Sequence, residues 1–282
     1  MKQKRAIAVN DISCFGKCSL TVALPILSAA GIETCPVPTA LLSTHTGGFT
    51  NFHFRDLTQD VDPIVTHWHD LGLEFDAIYS GYLGSFEQLE LVSKIFDMMR
   101  SEGTIVMVDP VMADNGVLYK GFSDDFPKGM RKLCEKADII TPNFTEAAFL
   151  LGEEYKEGPY TKEYVDSMLK KLAETGAKQI VLTGVHFDKE KLGAASYDSE
   201  TGEISYAFSE WVSGMYHGTG DTFASVLLSA IMCGFSLGES IQKAVDFVSA
   251  CVRRTSTDYP YMKYGVNFEA ELPGLCKDLG LI

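Results

Sequence analysis

The stretch that decides the fold is Ile-Val-Met-Val-Asp-Pro, residues 105–110. Its first four residues are all apolar, and an acid and a proline follow them directly. A strand without polar alternation is typical of a parallel sheet that is buried on both faces. In open α/β sheets, ligands bind at the carboxyl ends of the strands. The stretch therefore predicts a buried parallel strand whose acidic end, Asp109, lies at a ligand crevice.

Short apolar runs of the same kind recur on both sides of this stretch. They predict strands at residues 6–9, 34–37, 77–80, 105–108, 139–141 and 180–183. Segments of helical period, such as residues 87–99 and 164–173, lie between them. This alternation predicts an α/β fold with a central, mostly parallel sheet and helices on both faces.

Two segments depart from the alternation. Residues 194–197 and 204–208 predict a hairpin that is joined by the polar turn 198–203. Residues 43–60 are rich in Thr, His, Gly and Phe without a clear period, which predicts a small flap outside the sheet. Repeats, low-complexity tracts and linkers are absent from the sequence, so a single domain over residues 1–282 is expected.

Charge and composition restrict the class of partner. The net charge of −14 disfavours nucleic acid and anionic membranes, because both require a basic surface. No stretch approaches the roughly 18 apolar residues of a membrane helix, and the apolar run that ends at Asn10 is too short for a signal peptide. Seven cysteines without a C-x-x-C pair are typical of reduced thiols. We expect a cytoplasmic protein with small-molecule ligands.

The segment His-Gly-Thr-Gly-Asp-Thr-Phe, residues 217–223, precedes an apolar helical run. Glycines before a helix let backbone N–H groups converge on an anion at the positive end of the helix dipole. An acid inside such an anion site is suited to take a proton from an attacking hydroxyl, which makes Asp221 a candidate base. The alternative is that Asp221 only caps the helix.

A second group of polar residues follows two predicted strands, at residues 109–114 and 141–146. Asp109, Asn143 and Glu146 supply the carboxylate and amide oxygens that suit Mg²⁺ and its waters. The three-residue spacing of Asn143 and Glu146 is equally typical of a capping box at a helix start.

Other phosphate-binding motifs do not fit. Gly16-Lys17-Cys18 resembles the end of a P-loop, but Asp11 stands where that motif needs glycine and Cys18 replaces the metal-binding hydroxyl. No G-x-G-x-x-G follows the first strand, which disfavours a dinucleotide site. Cys14 and Cys18 lie in or beside this loop, and we expect them to pack as small apolar side chains rather than to react.

Three motifs in the chain resemble the signature set of the ribokinase-like kinases, in their vitamin-kinase branch: Gly-Thr-Gly-Asp at 218–221, Asn143-x-x-Glu146, and Asp-Pro-Val-Met at 109–112. Within that branch, residues 42–47, 80–85 and 137–143 are similar to pyridoxal kinases. The resemblance covers nearly the whole chain. It implies a ribokinase-like fold and ATP-dependent phosphorylation of the 5′-hydroxymethyl group of pyridoxal, pyridoxine or pyridoxamine.

The resemblance also implies a role for each matching residue. Asp221 would be the catalytic base, and the anion hole would comprise Gly218, Thr219 and Gly220. The nucleotide side would comprise Asp109, Asn143, Glu146, Thr183 and Gly184, with Mg²⁺ at Asp109 and Glu146. The substrate side would comprise Asp11, Ser13, Thr46 and Tyr82. A homodimer is expected, and the pattern is compatible with a monovalent cation such as K⁺.

One departure from the family pattern concerns the substrate. Asp11 falls where pyridoxal kinases usually carry serine, and residues 10–13 look more like the Asp-Pro-Ser entrance of hydroxymethylpyrimidine kinases. Those kinases often carry cysteine where this chain has Asp221. A hydroxymethylpyrimidine kinase of thiamine metabolism is therefore the alternative activity. A non-catalytic ligand-binding relative is a second alternative, which the intact Asp221 disfavours.

Overall fold

The computed structural model describes residues 3–258 and 264–282. The strands are β1 (Arg5–Ser13), β2 (Glu33–Leu42), β3 (Phe54–Asp56), β4 (Ala77–Ser80), β5 (Ile105–Val108), β6 (Ala113–Asp114), β7 (Val117–Leu118), β8 (Ile139–Ile140), β9 (Gln179–Val185), β10 (Lys191–Asp198) and β11 (Ile204–Glu210). The helices are α1 (Leu20–Ala29), α2 (Thr58–Asp70), α3 (Phe86–Met99), α4 (Phe126–Cys134), α5 (Phe144–Leu151), α6 (Lys162–Ala173), α7 (Thr219–Cys233), α8 (Leu237–Asp258) and α9 (Leu272–Asp278).

Within the described residues, nine strands form one sheet in the order β11-β10-β9-β8-β5-β4-β1-β2-β3. The six strands from β9 to β2 are parallel. Antiparallel strands lie at both edges, β3 on one side and β10 with β11 on the other. The predicted mostly parallel sheet is confirmed, and β5 lies near its centre.

The central strands are uniformly apolar because helices cover both faces of the sheet. Val106 and Val108 of β5 pack on the face that α2 to α6 cover. Met107, between them, packs on the opposite face under α1, α7, α8 and α9. All three side chains are at most 1% exposed. Neighbouring residues of a strand point to opposite faces of the sheet, so one apolar run packs against the helices on both faces.

The hairpin prediction is confirmed, since β10 and β11 pair antiparallel from Lys191 with Glu210 to Tyr197 with Ile204. Its turn is held by Asp198, whose carboxylate accepts backbone hydrogen bonds from Glu200 and Thr201.

The flap is smaller than the sequence indicates. Residues 43–53 leave the sheet, but Phe54–Asp56 pairs with β2 as an edge strand and α2 begins at Thr58. The carboxylate of Asp56 accepts a hydrogen bond from the Thr58 backbone amide at 2.7 Å, which helps to start α2. All three residues of β3 are exposed. An exposed edge strand has no apolar alternation, so the pattern did not indicate it.

None of the helices in the described parts of the chain combines the length and apolarity that a membrane span requires. The seven cysteines are all free, as expected for reduced thiols.

Candidate active site

The start of α7 is shaped by a close contact between two loops. Gly218 is the N-cap in the left-handed conformation, with φ 76°. A Cβ atom there would lie 2.0 Å from the Lys17 carbonyl oxygen, so only glycine fits. Asp221 is the third helical residue and not the cap, and no side chain caps this helix. The interpretation of Asp221 as a helix cap is therefore wrong.

Asp221 is half-buried at the carboxyl edge of the sheet. The pKa of its carboxyl is raised to about 6, chiefly by burial and also by the nearby charge of Asp11. Hydrogen bonds from the Ser19 backbone and the Asn10 side chain act in the opposite direction. The distance from Asn10 Nδ2 to Asp221 Oδ1 is 3.4 Å. A carboxylate with such a pKa is ionised at neutral pH and still accepts a proton readily.

Asn10 is a site residue that the sequence analysis missed. Its side chain is fully buried at the end of β1, and its Oδ1 accepts backbone hydrogen bonds from Asp11 and Tyr82, both at 3.0 Å. A Cβ atom on Gly81 would lie 2.1 Å from Asn10 Nδ2, so this glycine leaves room for the amide. Asn10 therefore joins the ends of β1 and β4 to Asp221. Its place directly after an apolar strand was the available signal.

One further carboxylate, Asp109, lies close to Asp221, and another, Glu146, lies close to Asp109. Asp109 follows β5 and donates its backbone amide to the Ser80 carbonyl. A Cβ atom on Gly220 would lie 4.0 Å from Asp109 Oδ2, which places this carboxylate beside the start of α7. Burial, followed by the charge of Asp221, raises the pKa of Asp109. Burial and the charge of Asp109 likewise raise the pKa of Glu146.

Asn143 and Glu146 form the capping box that the spacing left open. Asn143 Oδ1 accepts from the Glu146 amide and Glu146 Oε2 accepts from the Asn143 amide, both at 2.9 Å. The other Glu146 oxygen accepts from the Met112 amide at 3.1 Å, and Asn143 Nδ2 donates to the Ala113 carbonyl at 2.9 Å. The box thus ties the loop after β5 to α5 and keeps Glu146 beside Asp109.

The described residues contain no group of three or more His, Cys, Asp or Glu side chains arranged to hold a metal. Mg²⁺ usually binds one or two protein carboxylates and fills its shell with water and substrate phosphates. Asp109 fits that use, because a cation would offset the repulsion between neighbouring buried carboxylates. Glu146 fits a more distant role, since backbone amides already engage both of its oxygens.

The expected nucleotide residues at the end of β9 lie next to the capping box. The Thr183 amide donates to the Pro142 carbonyl at 3.0 Å, and Asn143 forms a parallel bridge with Thr183. Gly184 is exposed and has φ 77°. The structure therefore brings Thr183 and Gly184 together with Asn143.

The expected substrate residues differ in how far they are exposed to solvent. Asp11 is 5% exposed, and its two oxygens accept hydroxyl hydrogen bonds from Ser19 at 2.6 Å and from Ser13 at 3.0 Å. Tyr82 is half-buried, whereas Thr46 is exposed in the flap. Burial of Asp11 raises its pKa, and the two serine hydroxyls lower it. The Asp11 carboxylate thus faces protein hydroxyls, and its contact with a substrate ring stays a prediction.

Segment 43–53 packs against the start of α7. The rings of His45 and His217 lie 5.0 Å apart, and Phe49 contacts both His45 and Phe15. A Cβ atom on Gly47 would lie 2.5 Å from the His217 ring, so the flap backbone approaches it directly.

Cys18 is half-buried, and a Cβ atom on Gly218 would lie 3.7 Å from its Sγ. Burial, with the charges of Asp221 and Asp11, raises its pKa well above the usual value. It therefore stays a thiol, which agrees with its expected packing role.

The geometry defines a class of site. An acid of raised pKa lies in the first turn of a helix, behind a glycine turn whose amides suit an anion. A buried carboxylate suited to Mg²⁺, Asp109, lies beside it at the end of β5. On a parallel α/β sheet, this is the arrangement of a phosphoryl-transfer site.

Comparison with known proteins shows the family to which the chain belongs. The family model for phosphomethylpyrimidine kinase matches residues 24–265. The chain therefore belongs to the phosphomethylpyrimidine kinase family, a group of ribokinase-like vitamin kinases to which pyridoxal kinases are related.

Three relatives are informative. A Bacteroides thetaiotaomicron protein, described as a phosphomethylpyrimidine kinase and crystallised with pyridoxal, is 39% identical with a TM-score of 0.91, covering 97% of this chain and 96% of its own. Pyridoxal kinase from Lactobacillus plantarum is 31% identical with a TM-score of 0.88, covering 97% of each chain. Pyridoxine kinase of Bacillus subtilis is 30% identical over 68% of each chain. These similarities confirm the ribokinase-like α/β fold.

Proposed function

We propose that this protein transfers the γ-phosphoryl group of ATP to the 5′-hydroxymethyl group of a vitamin B6 vitamer. The observation that carries the proposal is the position of Asp221, in the anion-binding first turn of α7 with a pKa raised to about 6. The similar Lactobacillus protein is a pyridoxal kinase, and the similar Bacteroides protein was crystallised with pyridoxal.

Asp221 takes the proton of the attacking hydroxyl as the new phosphorus–oxygen bond forms, and ADP leaves with the electron pair of the broken bond. The backbone amides of Gly218, Thr219 and Gly220 stabilise negative charge on the transferred group, because they lie at the positive end of the α7 dipole. Asn10 holds the Asp221 carboxylate from the side of the sheet. Positioning and electrostatics supply most of the acceleration in phosphoryl transfer.

The nucleotide lies on the side of Asp109, Asn143, Thr183 and Gly184. Mg²⁺, when bound at Asp109, would neutralise charge on the phosphates. Glu146 positions the loop after β5 through its bond to the Met112 amide. On the substrate side, Tyr82 offers an aromatic face and Thr46 offers a hydroxyl, whereas the Ser13 hydroxyl is buried and donates to Asp11.

A second candidate substrate is hydroxymethylpyrimidine, because the matched family model is named for phosphomethylpyrimidine kinase. The pyridoxal complex of the Bacteroides relative favours the B6 vitamers. Measuring kcat/KM for pyridoxal, pyridoxine, pyridoxamine and hydroxymethylpyrimidine separates the two. A strong preference for the pyrimidine would overturn the B6 assignment.

The test of the chemistry is Asp221→Asn, which is nearly isosteric and removes the base. We expect ADP release with the preferred vitamer to fall by roughly 10²-fold or more, the range of a general base. ATP binding, measured by calorimetry, stays close to that of the native protein.

The matched control is Asp198→Asn, which changes a carboxylate in the hairpin turn between β10 and β11. Asp198 pairs with Gln179 at the start of β9, at the edge of the sheet opposite the site, so turnover should be unchanged. Near-native turnover of Asp221→Asn would reject the assignment of Asp221 as the catalytic base.

We also propose that the enzyme is a cytoplasmic homodimer that needs no membrane. Light scattering with size-exclusion chromatography measures the assembly, and a monomer at micromolar concentration would reject the dimer.

A further inference from the structure

The backbone of Lys17 lies between two glycines with positive φ. A Cβ atom on Gly218, at the start of α7, would lie 2.0 Å from the Lys17 carbonyl oxygen. A Cβ atom on Gly265 would lie 2.7 Å from the same oxygen and 2.9 Å from the Lys17 nitrogen. Only residues without a side chain allow the backbone to approach so closely. Lys17 therefore fills the space between the glycine turn, residues 218–220, and the segment 264–269.

The segment 264–269 is fixed to the core behind it. The side chains of Val266 and Phe268 are at most 2% exposed and pack in the layer of α1, α7, α8 and α9. The Asn267 amide donates to Thr255 Oγ1 at 2.7 Å, and Thr255 is fully buried on α8. A segment with buried apolar contacts and hydrogen bonds to the core opens rarely. The segment is therefore a firm support for the residues that it contacts.

This support holds Lys17 at its backbone and at its side chain. The Lys17 amide donates to the Tyr264 carbonyl at 2.9 Å. Lys17 Nζ donates to the Glu269 carboxylate at 2.7 Å and to Asn267 Oδ1 at 3.5 Å. The Lys17 side chain is 28% exposed and that of Glu269 is 53% exposed, so their ion pair is of modest strength. The backbone contact with Gly265 is the stronger constraint, because overlapping atoms repel steeply.

We propose that Lys17 is a positioning residue: the segment 264–269 holds it at both places, and its carbonyl keeps the glycine turn in the conformation that presents amides to the transferred phosphoryl group. Glycine adopts many backbone conformations with similar ease, so the φ of 76° at Gly218 is set by what packs against it. This inference rests on the proposed phosphotransferase activity, because that activity supplies the anion for the glycine turn.

The first test is Gly265→Ala, whose methyl group displaces the Lys17 backbone. Gly234→Ala, at the other end of α7, is the matched control. Gly234 has φ 97° and Gly265 has φ 92°, but a Cβ atom on Gly234 meets nothing within 4 Å. Both variants carry similar backbone strain, and only the first moves Lys17. We expect Gly265→Ala to lower kcat by about tenfold or more and Gly234→Ala to stay within about twofold of native. Equal kcat in the two variants would overturn the proposal.

Nucleotide affinity separates an effect on the glycine turn from general damage to the site. Calorimetry in the presence of Mg²⁺ measures the binding of ADP and of a non-hydrolysable ATP analogue. Because the glycine turn serves the γ-phosphoryl group, Gly265→Ala should weaken the analogue by about tenfold and ADP by no more than about twofold. Equal weakening of both nucleotides would overturn the proposal. A raised KM for the vitamer with native kcat would also overturn it, since Lys17 would then serve the substrate side.

Glu269→Gln tests the side-chain hold without adding an atom to the backbone contact. We expect kcat to fall by about threefold, within the range of a partly exposed ion pair. Adding Lys17→Met should lower it no further, because the same pair is already lost. Glu153→Gln is the matched control, since Glu153 pairs with Lys171 at 2.6 Å beyond the end of α5 that lies away from the site. Native kcat in Glu269→Gln, or multiplying effects in the double variant, would overturn the proposal.

A crystal structure of Gly265→Ala separates this inference from the activity itself. We expect the Lys17 carbonyl and Gly218 to shift together, and native positions of both would overturn the inference. If the native protein releases no ADP with any alcohol of the panel, the proposed function fails. The structure and the nucleotide affinities of Gly265→Ala would still decide whether Lys17 positions the glycine turn.

Discussion

At the scale of a single residue, Asp221 must be ionised to accept a proton. With a pKa of about 6, it loses this capacity as the pH falls through that value. We expect kcat/KM to fall about tenfold per pH unit below pH 6 and to level off toward neutrality. Initial rates of ADP release between pH 5 and 8 measure this fall in kcat/KM.

The control is the residual activity of Asp221→Asn. This variant lacks the titrating carboxyl, so its kcat/KM should not fall in the same way below pH 6. A native profile that stays flat down to pH 5 would contradict the assignment.

At the scale of an element, the N-terminus of α5 combines a cap with a site contact. Asn143→Ala removes the side chain that accepts from the Glu146 amide and donates to the Ala113 carbonyl. We expect a loss of about 1 kcal/mol in the free energy of unfolding, typical of a lost cap. We also expect a fall in kcat, since the loop after β5 loses its tie to α5. Urea denaturation and steady-state rates measure the two effects.

Thr161→Ala is the matched cap deletion, since Thr161 Oγ1 accepts from the Tyr164 amide at the start of α6. It should cost similar stability and leave kcat unchanged. Equal rates in the two variants would reduce Asn143 to a structural cap.

The flap is the second element with a testable role. Residues 43–53 carry Thr46 and contact His217, directly before the glycine turn that starts α7. We expect stronger protection of their amides from hydrogen exchange when an ATP analogue and pyridoxal are added together. The exposed strand β3, which follows in the chain, is the internal reference and should change little. Unchanged protection in residues 43–53 would argue against closure.

At the scale of the whole molecule, the buried Asp221 carboxylate lowers the free energy of unfolding at neutral pH. Because the pKa of Asp221 is higher in the folded protein than its usual value near 4, the folded state binds the proton more tightly. The stability that this provides is present at low pH and is lost as the pH rises from about 4 to about 6. Asp221→Asn should therefore become more stable relative to the native protein between pH 5 and 8.

Only the part of this window from pH 5 to 6 lies within that range, so the gain is at most about 1.4 kcal/mol, and solvent around the half-buried group reduces it. Urea unfolding of the metal-free native protein and of Asp221→Asn, at pH 5 and at pH 8, measures this difference in stability. Asp198 provides the contrast: against burial, hydrogen bonds from Gln179 and backbone amides lower its pKa. The cost of Asp198→Asn should therefore not change between pH 5 and 8. A pH-independent difference for Asp221→Asn would contradict the electrostatic account.

Local residue patterns alone were enough to predict the layers of the fold and the edge of the sheet at which the candidate site lies. Apolar runs such as residues 105–108 have a local signal, because burial on both faces leaves no polar position in the strand. The glycine turn before α7 is equally local, since helix termini and anion sites are encoded within a few residues. Family motifs then supplied Asp221, Asp109 and Asn143 as expected site residues.

Only the tertiary structure decided how these residues act on one another. Asn10 and Asp221 are 211 positions apart, and their contact depends on the packing of α7 against the end of β1. Ser19 has φ 58° and donates its hydroxyl to the Asp11 carboxylate, and neither feature can be inferred from a serine in the sequence. The raised pKa of Asp221 likewise follows from burial and from the charge of Asp11. Such properties arise from desolvation and long-range contacts, which no local pattern of residues contains.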